Sequence, residues 1–291
     1  MRKQINVDWS RETKKGDLGP TLRGYERYLV NLGFRQSSID MYVFRVGKYL
    51  EFVETDQPSP SDFTRFREVL QEKRLSRSTL NSYGFSIKKY HEMIKQPVTF
   101  PFLKPNNTIL YLFNEQYIAK ILIVIHNLKH YCMLMVMFYG CLRVSDLINL
   151  NDQDIDFGDK TIRVKEGKGG REAIVPLNPE VIPVLMDYLK VRPSLKMDGE
   201  QPLFITDFGH RWCRFGVYRM YKDYKKMAGI NKRGGLHVFG RHTPGSLMIK
   251  NGCDIMTIKE IMRHKDIETT ARYLHISDQT KREKFEKYLV L

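Results

Sequence analysis

Four clusters of basic and hydroxyl-bearing residues hold the side chains best able to do chemistry. The first is Tyr139-Gly140-Cys141-Leu142-Arg143-Val144-Ser145-Asp146-Leu147. It ends an apolar helix, turns at Gly140 and opens another helix. Arg143 and Asp146 are three apart and share a helix face. They make either an exposed ion pair or a braced arginine whose planar fork can hold a phosphate. The second cluster, Gly167-Lys168-Gly169-Gly170, lets a lysine ride a mobile hairpin tip onto a ligand. It is too short for a phosphate-cradling P-loop, and no Ser or Thr follows the lysine. The third is His237-Val238-Phe239-Gly240-Arg241-His242. The fourth runs from Arg263-His264 through Thr269-Thr270-Ala271-Arg272 to Tyr273. Taken singly, each histidine reads as a surface or satisfied core residue. His126 and His130, four apart, read as surface residues rather than as a metal pair.

The elements around these clusters are mostly helical. Ile39, Tyr42, Val43, Val46, Leu50 and Val53 recur at the spacing of one helix face, with Ser37 and Ser38 in front as N-caps. An earlier helix lies around Leu22 to Leu32. Others run through Phe63, Phe66 and Leu70, and from about Ser78 to Ile94, completing a four-helix unit. Residues 96–111 contain three prolines and no helical period, which predicts an extended linker. An apolar helix follows, from about Lys129 to Tyr139. The segments 160–165 and 172–177 alternate around the Lys168 turn as a hairpin, with Ile162, Val164 and Ile174 as its apolar positions. The remainder reads as mainly helical, ending in an amphipathic tail helix near 281–291. The expected fold is mainly α with a small antiparallel sheet. Its parts are a tail (1–17), a helical unit (18–95), a linker (96–111) and a mixed α/β unit (112–291).

Lysine and arginine total 48 against 33 acids, a net charge of +15. That excess favours a polyanion, because each phosphate neutralised releases condensed counterions. Arg65, Arg74, Arg77, Lys88 and Lys89 fall off the apolar faces. No apolar run approaches the roughly 20 residues of a membrane span, and the polar start is neither a signal peptide nor an anchor. Four scattered cysteines offer no C-x-x-C pair and no disulfide framework, which suits a reducing cytosol.

Together the clusters resemble the tyrosine recombinase (integrase) family. The family pattern is Gly-x-x-Arg-x-Ser-(Asp/Glu)-Leu, a Gly-Lys-Gly hairpin, His-x-x-Arg-His, then Gly-His followed nine residues later by a tyrosine after Thr-Thr. Here Arg143, Lys168, Arg241-His242, His264 and Tyr273 occur in that order, with the same nine-residue final interval. The resemblance implies a DNA-binding helical domain followed by a catalytic domain. It implies that Arg143 and Arg241 hold the scissile phosphate, that His264 adds a hydrogen bond, and that Lys168 protonates the leaving 5′ oxygen. Tyr273 would attack phosphorus and form a 3′-phosphotyrosyl link. Rejoining then needs no ATP, metal or other cofactor. The implied partners are double-stranded DNA and three further copies, as a homotetramer on synapsed sites built from monomers or dimers. An accessory DNA-bending protein fits the same scheme, and the implied location is cytoplasmic.

Three positions depart from that pattern. His237 to Arg241 spans four residues where the family has three, so Val238 falls at the histidine position; on a helix His237 still shares the face. Pro244-Gly245 follows closely, which puts Arg241 near a helix start, and Gly240 loosens the turn. Arg263 replaces the usual glycine and faces a phosphate or solvent. Two other readings follow: a DNA-binding architectural or regulatory member that has lost catalysis, and strand relaxation of the type IB topoisomerase kind.

Overall fold

The computed structural model describes residues 19–104, 112–165, 172–197, 199–273 and 285–286. The tail 1–17, Lys168 with its hairpin tip, residues 105–111 of the linker and nearly all of the tail helix lie outside the described residues. The chain forms two compact units, residues 1–108 and 109–291.

The first unit consists of α1 (Pro20–Asn31), α2 (Gln36–Val53), α3 (Pro60–Glu72) and α4 (Arg77–Met93). Proline sits in the first turn of α1 and α3, where its missing N–H costs nothing. Ser59 and Asp62 form a reciprocal capping box on α3, and Ser76 Oγ accepts from Thr79 N–H to cap α4. On α2 the helix starts at Gln36, ahead of the two serines. Its N-cap is Arg35, with no side-chain cap. The apolar stripe divides between two clusters. Ile39, Val43 and Val46 pack with Tyr25, Leu29 and Tyr90, whereas Tyr49 and Phe52 pack with Phe63, Phe66 and Ile87. Val98 and Phe100 of the proline-rich stretch are buried in the second cluster. The Phe100 ring lies directly on Gly84, where a Cβ would stand 2.3 Å away. Asn81 fastens the same stretch by accepting from Leu103 N–H and donating to its carbonyl, both at 2.8 Å.

In the second unit, α5 (Glu115–Ile123) precedes α6 (Leu128–Tyr139), which is buried from Cys132 to Phe138 and forms the centre of the core. A helix apolar on every side needs cover on every side. That cover includes α7 (Val144–Asn149), α8 (Ile182–Val191) and the turn 238–242. Strands β1 (Ile155–Asp156), β2 (Thr161–Val164) and β3 (Ala173–Pro176) form an antiparallel sheet in that order. Ile162 pairs with Val175, and both face the core. Ile174 pairs with Arg163 and is 70% exposed, so the inward residue of β3 is Val175. The two-residue β1 is too short to carry an alternating pattern. Next come α9 (Arg214–Met227), α10 (Thr243–Lys250), α11 (Ile255–Ile261) and α12 (Ile267–Ala271). No helix of the described residues is long and apolar enough to cross a membrane.

Candidate active site

The site is built from three chain reversals. At the first, α6 ends on Gly140, whose N–H bonds Val136 O at 3.0 Å. A Cβ there would sit 2.8 Å from that carbonyl, so glycine supplies room, while Cys141 takes the left-handed conformation with φ +46°. Arg143 then precedes α7, and its N–H donates to Asp146 Oδ2 at 3.0 Å, capping that helix. The guanidinium is less tightly held. Its Nη1 stands 3.9 Å from Asp146, and its Nη2 donates weakly to Arg263 O at 3.4 Å.

The second reversal is a π-helical turn, Val238–His242, that runs into α10. Thr243 N–H bonds Val238 O, five residues back, so the ring closes one residue later than in an α-helix. That extra residue matches the long His237–Arg241 interval. Gly240 is buried and pressed against Met137, whose Cγ and Cε would both stand 2.7 Å from an added Cβ. It serves close packing rather than loosening. Pro244 occupies the first turn of α10. Arg241 is 2% exposed, and donates through Nη1 to Cys141 O at 2.6 Å and through Nη2 to Met262 O at 2.5 Å. Burial pushes its pKa down to about 10, with Arg143 and Arg263 adding to the effect. It remains charged at neutral pH, with no carboxylate partner among the described residues.

The third reversal joins α11 to α12. Arg263 takes φ +53°, the conformation that glycine adopts freely. Its side chain is buried, with Nη2 2.5 Å from Asp146 Oδ2. It is thus turned inward rather than toward solvent, and its Nε and Nη1 are buried without partners among the described residues. His264 Nδ1 lies 2.9 Å from Thr270 Oγ1. Tyr273 is buried with Cys141, Ile258 and Met262. Its ring stacks over His264 at 6.2 Å, and its Oη lies 2.8 Å from His242 Nδ1. Gly245 makes room for this docking, since a Cβ there would meet Met262 Sδ at 2.9 Å and Tyr273 Cε2 at 3.4 Å.

The electrostatics of this cluster favour an incoming anion. Burial lowers the pKa of Arg143, partly offset by Asp146, while Arg263 lowers it further. His264 is held near 4 by burial and then by Arg241 and Arg143. His242 is also held near 4, by burial and then by His237, Arg272 and Arg241. Both are neutral at pH 7. Burial raises the Tyr273 pKa, while Arg241, Arg272 and Arg143 pull the other way, so the phenol keeps its proton at rest.

Arg143, Arg241, His264 and Tyr273 therefore converge in one pocket. His237 stands at its rim, its ring edge-on to His242 at 4.6 Å, and burial of its ring, followed by Arg241 and Arg143, lowers its pKa. The sequence names His242 as part of the third motif, beside Arg241, but gives it no role of its own. It also gave no role to Thr270, whose hydroxyl orients His264. His130 bonds Tyr224 Oη at 2.9 Å and abuts Trp212, a structural setting.

Residues 112–280 match the family model described as "Phage integrase family". The chain is 28% identical over 278 residues to tyrosine recombinase XerA of Pyrococcus horikoshii, covering 91% of this chain and 92% of the relative. It is similar to a crystal structure of XerA recombinase, with 27% identity, TM-score 0.56, and coverage of 93% and 98%. The fold is also similar to XerH site-specific recombinase bound to palindromic difH substrate, with TM-score 0.69, 17% identity, and coverage of 92% and 85%. With more than half of its length matched, the chain belongs to the phage integrase family, the tyrosine recombinases that break and rejoin DNA at specific sites.

Proposed function

We propose that this chain cuts and rejoins DNA strands at specific sites, with Tyr273 as the nucleophile and a 3′-phosphotyrosyl intermediate. The convergence of two guanidinium groups, an imidazole and a phenol in one buried pocket carries this reading. Negative charge builds on the nonbridging oxygens as phosphorus is attacked, and Arg143 and Arg241 stabilise it. The carbonyl bonds of Arg241 fix its fork before substrate arrives, so little reorganisation is needed. His264, oriented through Thr270, donates from Nε2 to the same phosphate. His237 joins from the rim. Lys168 protonates the 5′ oxygen as it leaves. Breakage and rejoining are near-isoenergetic ester exchanges, so the cycle runs without ATP.

The partner is double-stranded DNA. We place the DNA-facing surface on the exposed side of α9, where Arg214, Phe215, Tyr218 and Arg219 are all exposed, and on the basic faces of the first unit. Four protomers act on two synapsed sites, free protomers are monomers or dimers, an accessory bending protein can assist, and the work is cytoplasmic.

A nicked suicide duplex carrying a site selected from a random-sequence pool tests this reading. The expected result is a denaturation-resistant protein–DNA adduct that is lost in Tyr273→Phe. Binding without any adduct would favour the architectural reading. Relaxation of supercoiled plasmid without sequence preference would favour the topoisomerase one.

A further inference from the structure

Among the described residues, the hydrogen bond of the Tyr273 hydroxyl runs to His242 Nδ1, at 2.8 Å. The other two histidines of the pocket are placed differently. His264 spends Nδ1 on Thr270 and offers Tyr273 only its ring face. His237 meets the edge of the His242 ring. Resting on the reading of Tyr273 as nucleophile, we propose that His242 is the catalytic base that takes the phenol proton during attack. The Oη–H bond breaks, and its proton passes to His242 Nδ1. The Oη–P bond forms, the P–O5′ bond breaks, and the 5′ oxygen leaves with a proton from the general acid. On rejoining, the 5′ hydroxyl gives its proton back to the deprotonated general acid as its oxygen attacks phosphorus, the Oη–P bond breaks, and the imidazolium returns the proton to Tyr273 Oη.

The surroundings make this base dependent on substrate. Facing the imidazole are His237 and Arg241 from its own turn and Arg272 and Tyr273 from the segment after α12. Arg143 and Arg263 lie near Arg241 from the neighbouring reversals. Burial, and then His237, Arg272 and Arg241, hold the ring neutral, which leaves Nδ1 free to accept with the ring proton on Nε2. They also make it a poor base while the pocket is empty. A phosphate on Arg143 and Arg241 neutralises part of that field and raises the basicity of the imidazole where attack occurs. The buried phenol, itself reluctant to ionise, stays protonated until then.

The test uses the full chain and the nicked duplex described above. No adduct from the unaltered protein would overturn the nucleophile reading itself. Given that adduct, His242→Ala and His242→Asn should bind the duplex normally but form it about 10²- to 10⁴-fold more slowly. Added imidazole should restore part of the rate in His242→Ala, in proportion to its free-base concentration. A duplex with sulfur as the bridging 5′ atom, whose leaving thiolate needs no proton, should rescue Lys168→Ala but not His242→Ala. Three results would overturn the proposal: His242→Asn as fast as the unaltered protein, a slow His242→Ala indifferent to imidazole, or rescue of His242→Ala by the bridging sulfur.

Discussion

Arg263 Nη2 lies 2.5 Å from Asp146 Oδ2, an ion pair between residues 117 positions apart. The same oxygen caps α7 at Arg143 N–H, while the Arg143 guanidinium is held 3.9 Å away. Asp146 is therefore engaged by Arg263, and the Arg143 fork is left free for the pocket.

An asymmetry between two substitutions follows. Asp146→Ala strands the inward-turned Arg263 guanidinium and uncaps α7, and should cost about 3–5 kcal/mol of unfolding free energy. Arg263→Gly removes the pair but relieves a positive φ worth roughly 1–2 kcal/mol, and Arg143 can close on Asp146. Its stability, read by urea denaturation, should stay within about 1.5 kcal/mol of the parent. Its adduct formation should fall because Arg143 is drawn away from the phosphate. Equal stability loss in the two variants would contradict this.

The first unit should be acid-sensitive at His91. This residue is fully buried between Tyr49 Oη and Gln96 O, at 2.9 and 3.0 Å, and burial lowers its pKa. Its neutral form fits the fold, so its contribution is complete above the unfolded histidine pKa of about 6.5. Stability is then lost as pH falls below that value toward the lowered folded one. Melting temperature should drop between pH 7 and 5, and His91→Gln should flatten that slope.

The outer face of α9 makes a prediction about salt. If Arg214 and Arg219 each meet a phosphate, alanine at either should weaken binding across all sequences and reduce the log–log salt slope by about 1. Titrations at several salt concentrations decide this, and an unchanged slope in both variants removes α9 from the interface.

Packing at the π turn can be measured directly. Gly240→Ala should cost about 1–3 kcal/mol, because Met137 Cγ is not a freely moving tip. Combining it with Met137→Ala should recover part of that cost, a coupling of roughly 0.5–3 kcal/mol in a double-mutant cycle.

Helix periodicity made most of the fold legible in advance, whereas the serines read as caps of α2 lie inside that helix. The stripe on α2, the apolar α6 and the alternation in β2 all carry strong local patterns. What escaped was set by contacts distant in sequence. Phe100 looked like linker because its neighbour Gly84 carries no side chain to advertise a packing site. Ile174 and Val175 are equally apolar, and only the register with β2 decides which one faces inward. In the site, Arg143, Arg241, His264 and Tyr273 could be picked out by type and order. Arg263 could not be assigned, because its partner Asp146 lies more than a hundred residues away. His242 was hidden by its neighbour, since chain adjacency to Arg241 does not say which ring the phenol will meet.

The five-residue ring closed at Thr243 has a broader consequence. One inserted residue rotates everything downstream on a regular helix by about 100°, which would swing a guanidinium out of any cleft. Here the looser winding confines that rotation to a single loop of backbone, and α10 proceeds as though nothing had been added. Genes can therefore gain or shed a codon between Leu236 and Arg241 without dismantling the cavity beyond. Counting letters alone puts Val238 where the family has a histidine, while superposing the side chains shows which imidazole occupies the cavity.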